Sequence, residues 1–418
     1  MTTQRIRESA SAKPRFFYGY VIVALSFLLL VAMMGAQYSF GVFIKPLTKE
    51  FSWSVAATSG AFSFYMAFHG FLFIITGRLN DRLGPRVVMT ACGLFLGLGY
   101  LLMSRINSLW QLYLFYGIII SIGMSGGFVP LTSTIARWFT SKRGLMTGIA
   151  VSGIGAGTML MPPLATYLIS AYDWRTSFVV VGIIVLLVMV AAAQFLRRDP
   201  SQMKQFPDGK SEMQKEATKP THGGLSLKEI MRTSQFWLMS LSYFCFGIFI
   251  QTVIVHIAPH AIELEIPPTV AANLFVAIGG LSIVGRITMG GFADRIGYKK
   301  AFILCFIIAT IALTWLIFAR TMGMLLLFAA VFGFAYGGLV ALQSLLVANL
   351  FGLGSHGMIL GINVSINTIG GALGPVIAGR IFDVRGSYTL AFILVAIVSA
   401  IGLTLSTLLA RAKKPEPA

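Results

Sequence analysis

Charge is scarce in this sequence, and acidic charge is scarcest. Only 11% of the 418 residues are charged, and 14 acidic side chains stand against 32 basic ones. A water-soluble chain of this length needs far more polar surface, so lipid must be the solvent for much of it. Cysteine is nearly absent as well. Cys92, Cys245 and Cys305 lie in apolar stretches far apart, with no CxxC spacing for a metal and no basis for a disulfide framework. There is no nucleophile–base pair, metal cluster or cofactor fingerprint, so an enzyme is not expected, nor a cofactor or metal. The glycine spacings in "GGFVPLTS" and "GIGAG" fall in apolar stretches and read as helix-packing positions rather than nucleotide loops.

Apolar residues dominate instead, at 56%, with 33 Phe and 44 Gly. A bilayer crossing takes about 20 mostly apolar residues, and such stretches recur along nearly the whole chain. Twelve spans are predicted: 17–44, 55–78, 87–104, 110–137, 143–169, 176–196, 235–258, 269–292, 301–319, 322–350, 357–380 and 388–410. The first run is too long for a signal peptide and lacks a clear cleavage site. The expected class is an all-α polytopic membrane protein of two six-helix halves. Its parts are an N-terminal segment 1–16, a first half 17–196, a polar linker 197–233, a second half 234–410 and a tail 411–418. The linker carries "RRDPSQMKQFPDGKSEMQKEATKPTHGG" without apolar periodicity and reads as a solvated tether.

The net charge of +18 invites a nucleic-acid partner, but its distribution argues otherwise. The termini, the alternate loops on their side and Arg78 hold 24 of the 32 basic residues, and the opposite loops hold seven. This positive-inside asymmetry predicts cytoplasmic termini and an integral plasma (inner) membrane protein.

The remaining basic residue is Arg286, in the middle of the eighth span. An Arg there costs about 2.5–3.5 kcal/mol on insertion scales and normally faces a cavity or a partner. No acidic residue lies at its depth. Asp294, eight residues on, is about 12 Å away along a helix. Snorkelling to the cytoplasmic rim is one reading. The other is capture of an anionic cargo, since the guanidinium fork matches a carboxylate in bidentate fashion. Polar side chains at similar depth are Tyr243 on span seven, Tyr336 on span ten, and Asn363 and Asn367 on span eleven. They can bind a substrate hydroxyl or keto group, or equally tie helices together. The apolar setting of Leu281, Ile283 and Val284 suits a short aliphatic acid.

The two halves repeat. "GRLNDRLGPR" from Gly77 and "GGFADRIGYK" from Gly290 place Asp81 with Asp294, Arg82 with Arg295 and Arg86 with Lys299, all 213 positions apart. Gly126-Gly127 and Gly148 find counterparts in Gly337-Gly338 and Gly361. Duplicated six-span halves are the mark of a rocking transporter. The paired segments resemble the signature loop of the major facilitator superfamily, Gly-x-Leu-Ala-Asp-Arg-x-Gly-x-Arg/Lys, and imply that fold. Charge pairs there, with the Asp facing a helix N-terminus, are expected to latch the halves.

Three further stretches resemble the monocarboxylate transporter family and the related oxalate/formate antiporters: "FFYGYVIV…YSFGVFIKPL", "RWFTSKRGLMTGIAVSG" and "WRTSF". The resemblance implies that Arg286 binds substrate carboxylate. Many animal members carry a Lys on span one and an Asp four residues before the span-eight Arg. Here those positions are Tyr38 and Ser282, which puts the family's proton relay in doubt. His256 and His69 are then the candidate proton carriers. The expectation is symport of a small monocarboxylate such as lactate or pyruvate with a proton, and the alternative is carboxylate exchange without proton coupling.

Overall fold

The computed structural model of the protein describes residues 16–209 and 227–410. The expected tail 411–418, most of the N-terminal segment and the centre of the linker lie outside them. Among the described residues, twelve helices are long and apolar enough to cross a membrane. In the first half they are α1 (Gly19–Phe51), α2 (Val55–Leu83), α3 (Pro85–Met103), α4 (Leu109–Trp138), α5 (Arg143–Ala171) and α6 (Trp174–Gln194). In the second half they are α7 (Ser234–Glu263), α8 (Asn273–Ile296), α9 (Tyr298–Phe318), α10 (Met322–Phe351), α11 (His356–Arg385) and α12 (Thr389–Thr407). Helices suit this solvent because each satisfies its own backbone N–H and C=O groups where lipid offers no partner.

Two spans are irregular. Helix α1 pauses at Ser39, whose hydroxyl donates to the Gly35 carbonyl at 2.8 Å. Helix α4 contains a π-helical stretch, Tyr113–Ile120.

The sequence suggested that α2 and α8 end at 78 and 292. Both instead continue through their Asp and Arg to Leu83 and Ile296. A single glycine then makes each turn: Gly84 at φ 81° and Gly297 at φ 92°, a region that disfavours side chains. The repeated motif is therefore a last helical turn plus one glycine, which holds each Asp on a rigid helix.

The halves meet where α5 crosses α8 and α2 crosses α11, and glycine sets both distances. A Cβ added at Gly144 would fall 2.0 Å from the Gly290 carbonyl oxygen, and one at Gly77 2.2 Å from that of Gly357. One turn deeper, a Cβ at Gly148 would meet the Arg286 carbonyl at 2.2 Å, and one at Gly361 that of Phe73 at 2.3 Å. Each residue has its counterpart 213 positions away, so the crossings are related by the internal repeat. The "GIGAG" glycines also pack helices: Gly153 and Gly157 lie against α1, and Gly155 against α8.

The start of the linker is more ordered than a solvated tether. Pro200–Met203 and Pro207–Gly209 form short 3-10 turns. Gln205 accepts from the Tyr18 amide at 3.0 Å and donates to the Phe16 carbonyl at 2.9 Å. Asp208 accepts from the backbone amides and hydroxyls of Thr140 and Ser141, just ahead of α5. Partial burial would raise the pKa of Asp208, but these donors outweigh it and hold the carboxyl below its usual range. The resulting stability is present above the ordinary carboxylate pKa and lost as pH falls through the depressed one. Asp208→Asn is expected to lower the melting temperature at neutral pH. The gap from wild type should close as pH drops below about 4, which thermal melts across a pH series would read.

Candidate functional site

Arg286 is carried on the face of α8 that presses against α10. Glycine again permits the approach: a Cβ at Gly337 would meet the Ser282 carbonyl at 2.0 Å, and one at Gly285 that of Phe334 at 2.0 Å. The close crossing sets the guanidinium under the ring of Tyr336, 5.1 Å from its centroid, a cation–π contact. On the other side α5 comes close enough that a Cβ at Gly155 would stand 3.2 Å from Arg286 Nη1. The site thus joins the two halves.

Arg286 is 1% exposed, and no carboxylate among the described residues lies within ion-pair distance of it. Its one hydrogen bond is from Nη1 to the Ser282 hydroxyl at 2.9 Å, and that hydroxyl donates onward to the Gly279 carbonyl at 2.7 Å. The Nε–H has no partner. This is a buried cation with donors to spare, held by neutral groups. Tyr38, midway along α1, lies within electrostatic reach of both Arg286 and Tyr336. It is nonetheless 42% exposed.

The other polar candidates are placed differently. Asn363 is fully buried, accepts from Gln343 at 2.7 Å and donates to Ser240 at 3.3 Å, linking α11, α10 and α7. Asn367 donates to the Tyr243 carbonyl at 2.8 Å, and the Tyr243 hydroxyl donates to the Leu339 carbonyl at 3.2 Å. All three side chains are occupied in binding helices of the second half together. Among the tyrosines, Tyr336 is the one whose ring meets the guanidinium. The imidazole of His256 is hydrogen-bonded to the Pro375 carbonyl at 3.0 Å. His69 is buried on α2, stacked on Tyr65 with centroids 5.2 Å apart, and its Nε2 has no partner.

At the face where α1 begins and α12 ends, Asp81 accepts from the amides of Gly357 and Met358 at 3.1 and 2.9 Å. Asp294 accepts from those of Gly144 and Leu145 at 2.7 and 2.9 Å. These amides are at the second and third positions of α11 and α5, and the residues preceding those helices, Ser355 and Lys142, make no side-chain cap. Each Asp therefore caps a helix of the opposite half, where its charge also meets the positive end of the dipole. Arg137 completes the Asp81 side, 3.5 Å from its carboxylate, 3.7 Å from Asp199 and donating to the Leu353 carbonyl at 2.9 Å. Arg86 instead grips Gln194 within the first half, Arg82 and Arg295 are exposed, and Lys299 is half-buried.

Sequence reasoning passed over Ser282 as a partner, although four-residue spacing to Arg286 on a helix was the available signal. Arg137 and Gln343 gave no such signal, because their partners are distant in the chain. A buried, unpaired cation also carries a stability cost that can be measured. Arg286→Met is expected to raise the apparent melting temperature of the empty protein, by a stabilisation of about 2 kcal/mol. An unchanged or lower melting temperature would show that the guanidinium is already compensated.

A family model described as Major Facilitator Superfamily matches residues 25–287 and 239–418. Monocarboxylate transporter 13 of Rattus norvegicus is 27% identical over 391 residues, covering 90% of this chain and 85% of that protein. Monocarboxylate transporter 12 of Mus musculus is 26% identical over 416 residues, covering 94% and 85%. The crystal structure of the transporter FucP in the outward conformation superposes with a TM-score of 0.72 at 17% identity, over 93% of this chain and 99% of that one. At that identity the likeness is one of fold. Twelve spans, a duplicated helix-end motif and a matching family model lead to one conclusion: the chain belongs to the major facilitator superfamily, as an integral membrane transporter and not an enzyme.

Proposed function

We propose that this protein carries a small monocarboxylate, of the lactate or pyruvate kind, across the membrane by alternating access, in symport with a proton. The observation that carries the substrate class is Arg286: a buried guanidinium between the halves with unused donors and no carboxylate partner among the described residues. A substrate carboxylate would supply the missing charge, with Tyr336 and Tyr38 closing round its short apolar body. The monocarboxylate transporters to which the chain is similar favour the same class. His256, held on the Pro375 carbonyl through one ring nitrogen, and His69, buried on α2 with an unpartnered Nε2, are the candidate proton carriers.

The neutral partner of Arg286 supports a second reading. With Ser282 beside it, the empty site bears a net positive charge that only an anion cancels, so return of the empty carrier is costly. Exchange of one carboxylate for another avoids that step and needs no titrating group. Uptake of labelled lactate into proteoliposomes separates the two. Stimulation by an inward proton gradient in otherwise empty vesicles supports symport, and dependence on a preloaded carboxylate supports exchange. Under either reading, Arg286→Gln should lose at least about tenfold in uptake, the equivalent of 1.4 kcal/mol. Normal uptake by that variant would overturn the site.

We further propose that the face carrying the termini is cytoplasmic, in keeping with its excess of Lys and Arg, and that Asp81 and Asp294 hold it shut. Opening it strips α5 and α11 of their caps, so each carboxylate should bias the carrier by about 1 kcal/mol, several-fold in the closed-to-open ratio. A cysteine at Leu145 should react faster with a membrane-impermeant maleimide on that face once Asp294→Ala, which leaves no cap, is introduced. An unchanged rate would count against the latch.

A further inference from the structure

Three successive turns of α11 meet α2, and the third differs from the other two. Gly357 and Gly361 admit the α2 backbone at Gly77 and Phe73. Four positions on, and so on the same helix face, stands Ser365, which is 6% exposed. Its hydroxyl lies 2.6 Å from the carbonyl oxygen of Gly70 in α2 and 2.8 Å from that of Gly361 in its own helix. A hydroxyl has a single proton to donate, so two acceptors compete for it. The shorter of the two contacts joins the halves.

The equivalent residue in the other crossing, 213 positions earlier, is Ser152 of α5. Its hydroxyl donates to the Ile149 carbonyl of its own helix at 2.6 Å. The difference lies in the opposing helix. Gly70 presents bare backbone to α11, and even a Cβ there would stand 3.0 Å from the Thr368 methyl carbon. The counterpart of Gly70 in α8 is Ile283, whose β-branched side chain lies against Gly155. Glycine leaves its carbonyl open to a serine from the facing helix, and isoleucine covers it. Gly70 is also about one turn further from the latch than Phe73, the counterpart of Arg286. The α2–α11 crossing is therefore bonded past the level of the candidate site.

We propose that Ser365 is a gating residue with two positions. Its hydroxyl ties α11 to Gly70 while the latched face is closed, and it returns to the Gly361 carbonyl when the halves part. The proposal rests on the reading that the halves rock apart at that face. A buried hydroxyl stripped of every partner would cost more than the bond itself is worth. Ser365 avoids that penalty because its second acceptor is already within reach. Gly70 is spared as well, since it lies within α2 and its carbonyl keeps a helical donor. The bond thus favours closure by the net worth of one hydrogen bond and does not trap the carrier. Ser152, bonded only within its own helix, adds no such bias.

The test uses the full-length carrier in proteoliposomes with a reporter cysteine at Leu145. That position is on the α5–α8 crossing, so its reaction with a membrane-impermeant maleimide reads parting of the halves and not loosening beside Ser365. The three native cysteines are buried. Ser365→Ala should speed the reaction about two- to tenfold, the worth of one net hydrogen bond. Alanine adds no atom and is the best helix former, so this variant keeps the fold. Ser152→Ala should leave the rate at that of the unmutated serine. No acceleration by Ser365→Ala would overturn the proposal. Equal acceleration by both serine variants would overturn it too, since loss of either hydroxyl would then merely loosen the bundle. Asp294→Ala serves as the reference: if it accelerates the reporter and Ser365→Ala does not, the role of Ser365 falls and the latch stands. If neither accelerates it, the rocking reading falls with both.

Discussion

A helix that starts near a membrane must find partners for its first amide groups, and α5 and α11 find theirs in the other half of the molecule. That constraint organises the rest. Asp81 and Asp294 stand where helix-terminal turns of α2 and α8 place them, and each accepts from two amides across the interface. Neither acceptor works unless the backbones come close, which is why Gly77, Gly144, Gly290 and Gly357 sit at the crossings. A side chain at any of them would separate the carboxylate from the helix end. The caps and the glycines are one device built twice.

The same crossing fixes the depth of the candidate site. The Arg286 carbonyl lies against Gly148, one turn below the Gly144–Gly290 contact, so the guanidinium and Asp294 are borne by one helix, α8. A helix moves as a rigid element, and a change in charge balance at Arg286 is therefore mechanically close to Asp294. The two halves contribute unequally to this arrangement. At the position related by the repeat, the first half has Phe73 in place of Arg286. The helix crossings follow the repeat, and the buried charge does not.

Much of this was legible in the residues. The spans could be read because lipid demands long apolar runs, and the repeat because the glycine and Asp positions keep a constant offset. Arg286 stood out because the carboxylates could be counted and none was at its depth. The intramembrane Asn and Tyr residues were less legible. Asn363, Asn367 and Tyr243 carry the same chemistry whether they meet a substrate or another helix, and which they meet depends on helix rotation. The linker start was misleading for a related reason: a polar, aperiodic segment signals solvation, yet Asp208 and Gln205 find donors and acceptors on α1 and ahead of α5.

By itself, the sequence determined the number of spans, the duplication, the glycine turns and the presence of one uncompensated cation at mid-membrane. Those properties follow from composition and spacing, because burial in lipid acts on each residue through its own transfer energy. The tertiary structure decided which partners meet: Asp81 with α11, Asp294 with α5, Arg286 with Ser282 and Tyr336. Hydrogen bonds and ring contacts are short-ranged and directional, so they depend on how helices distant in the chain cross and rotate. That geometry is set by packing over the whole bundle and is written in no local stretch.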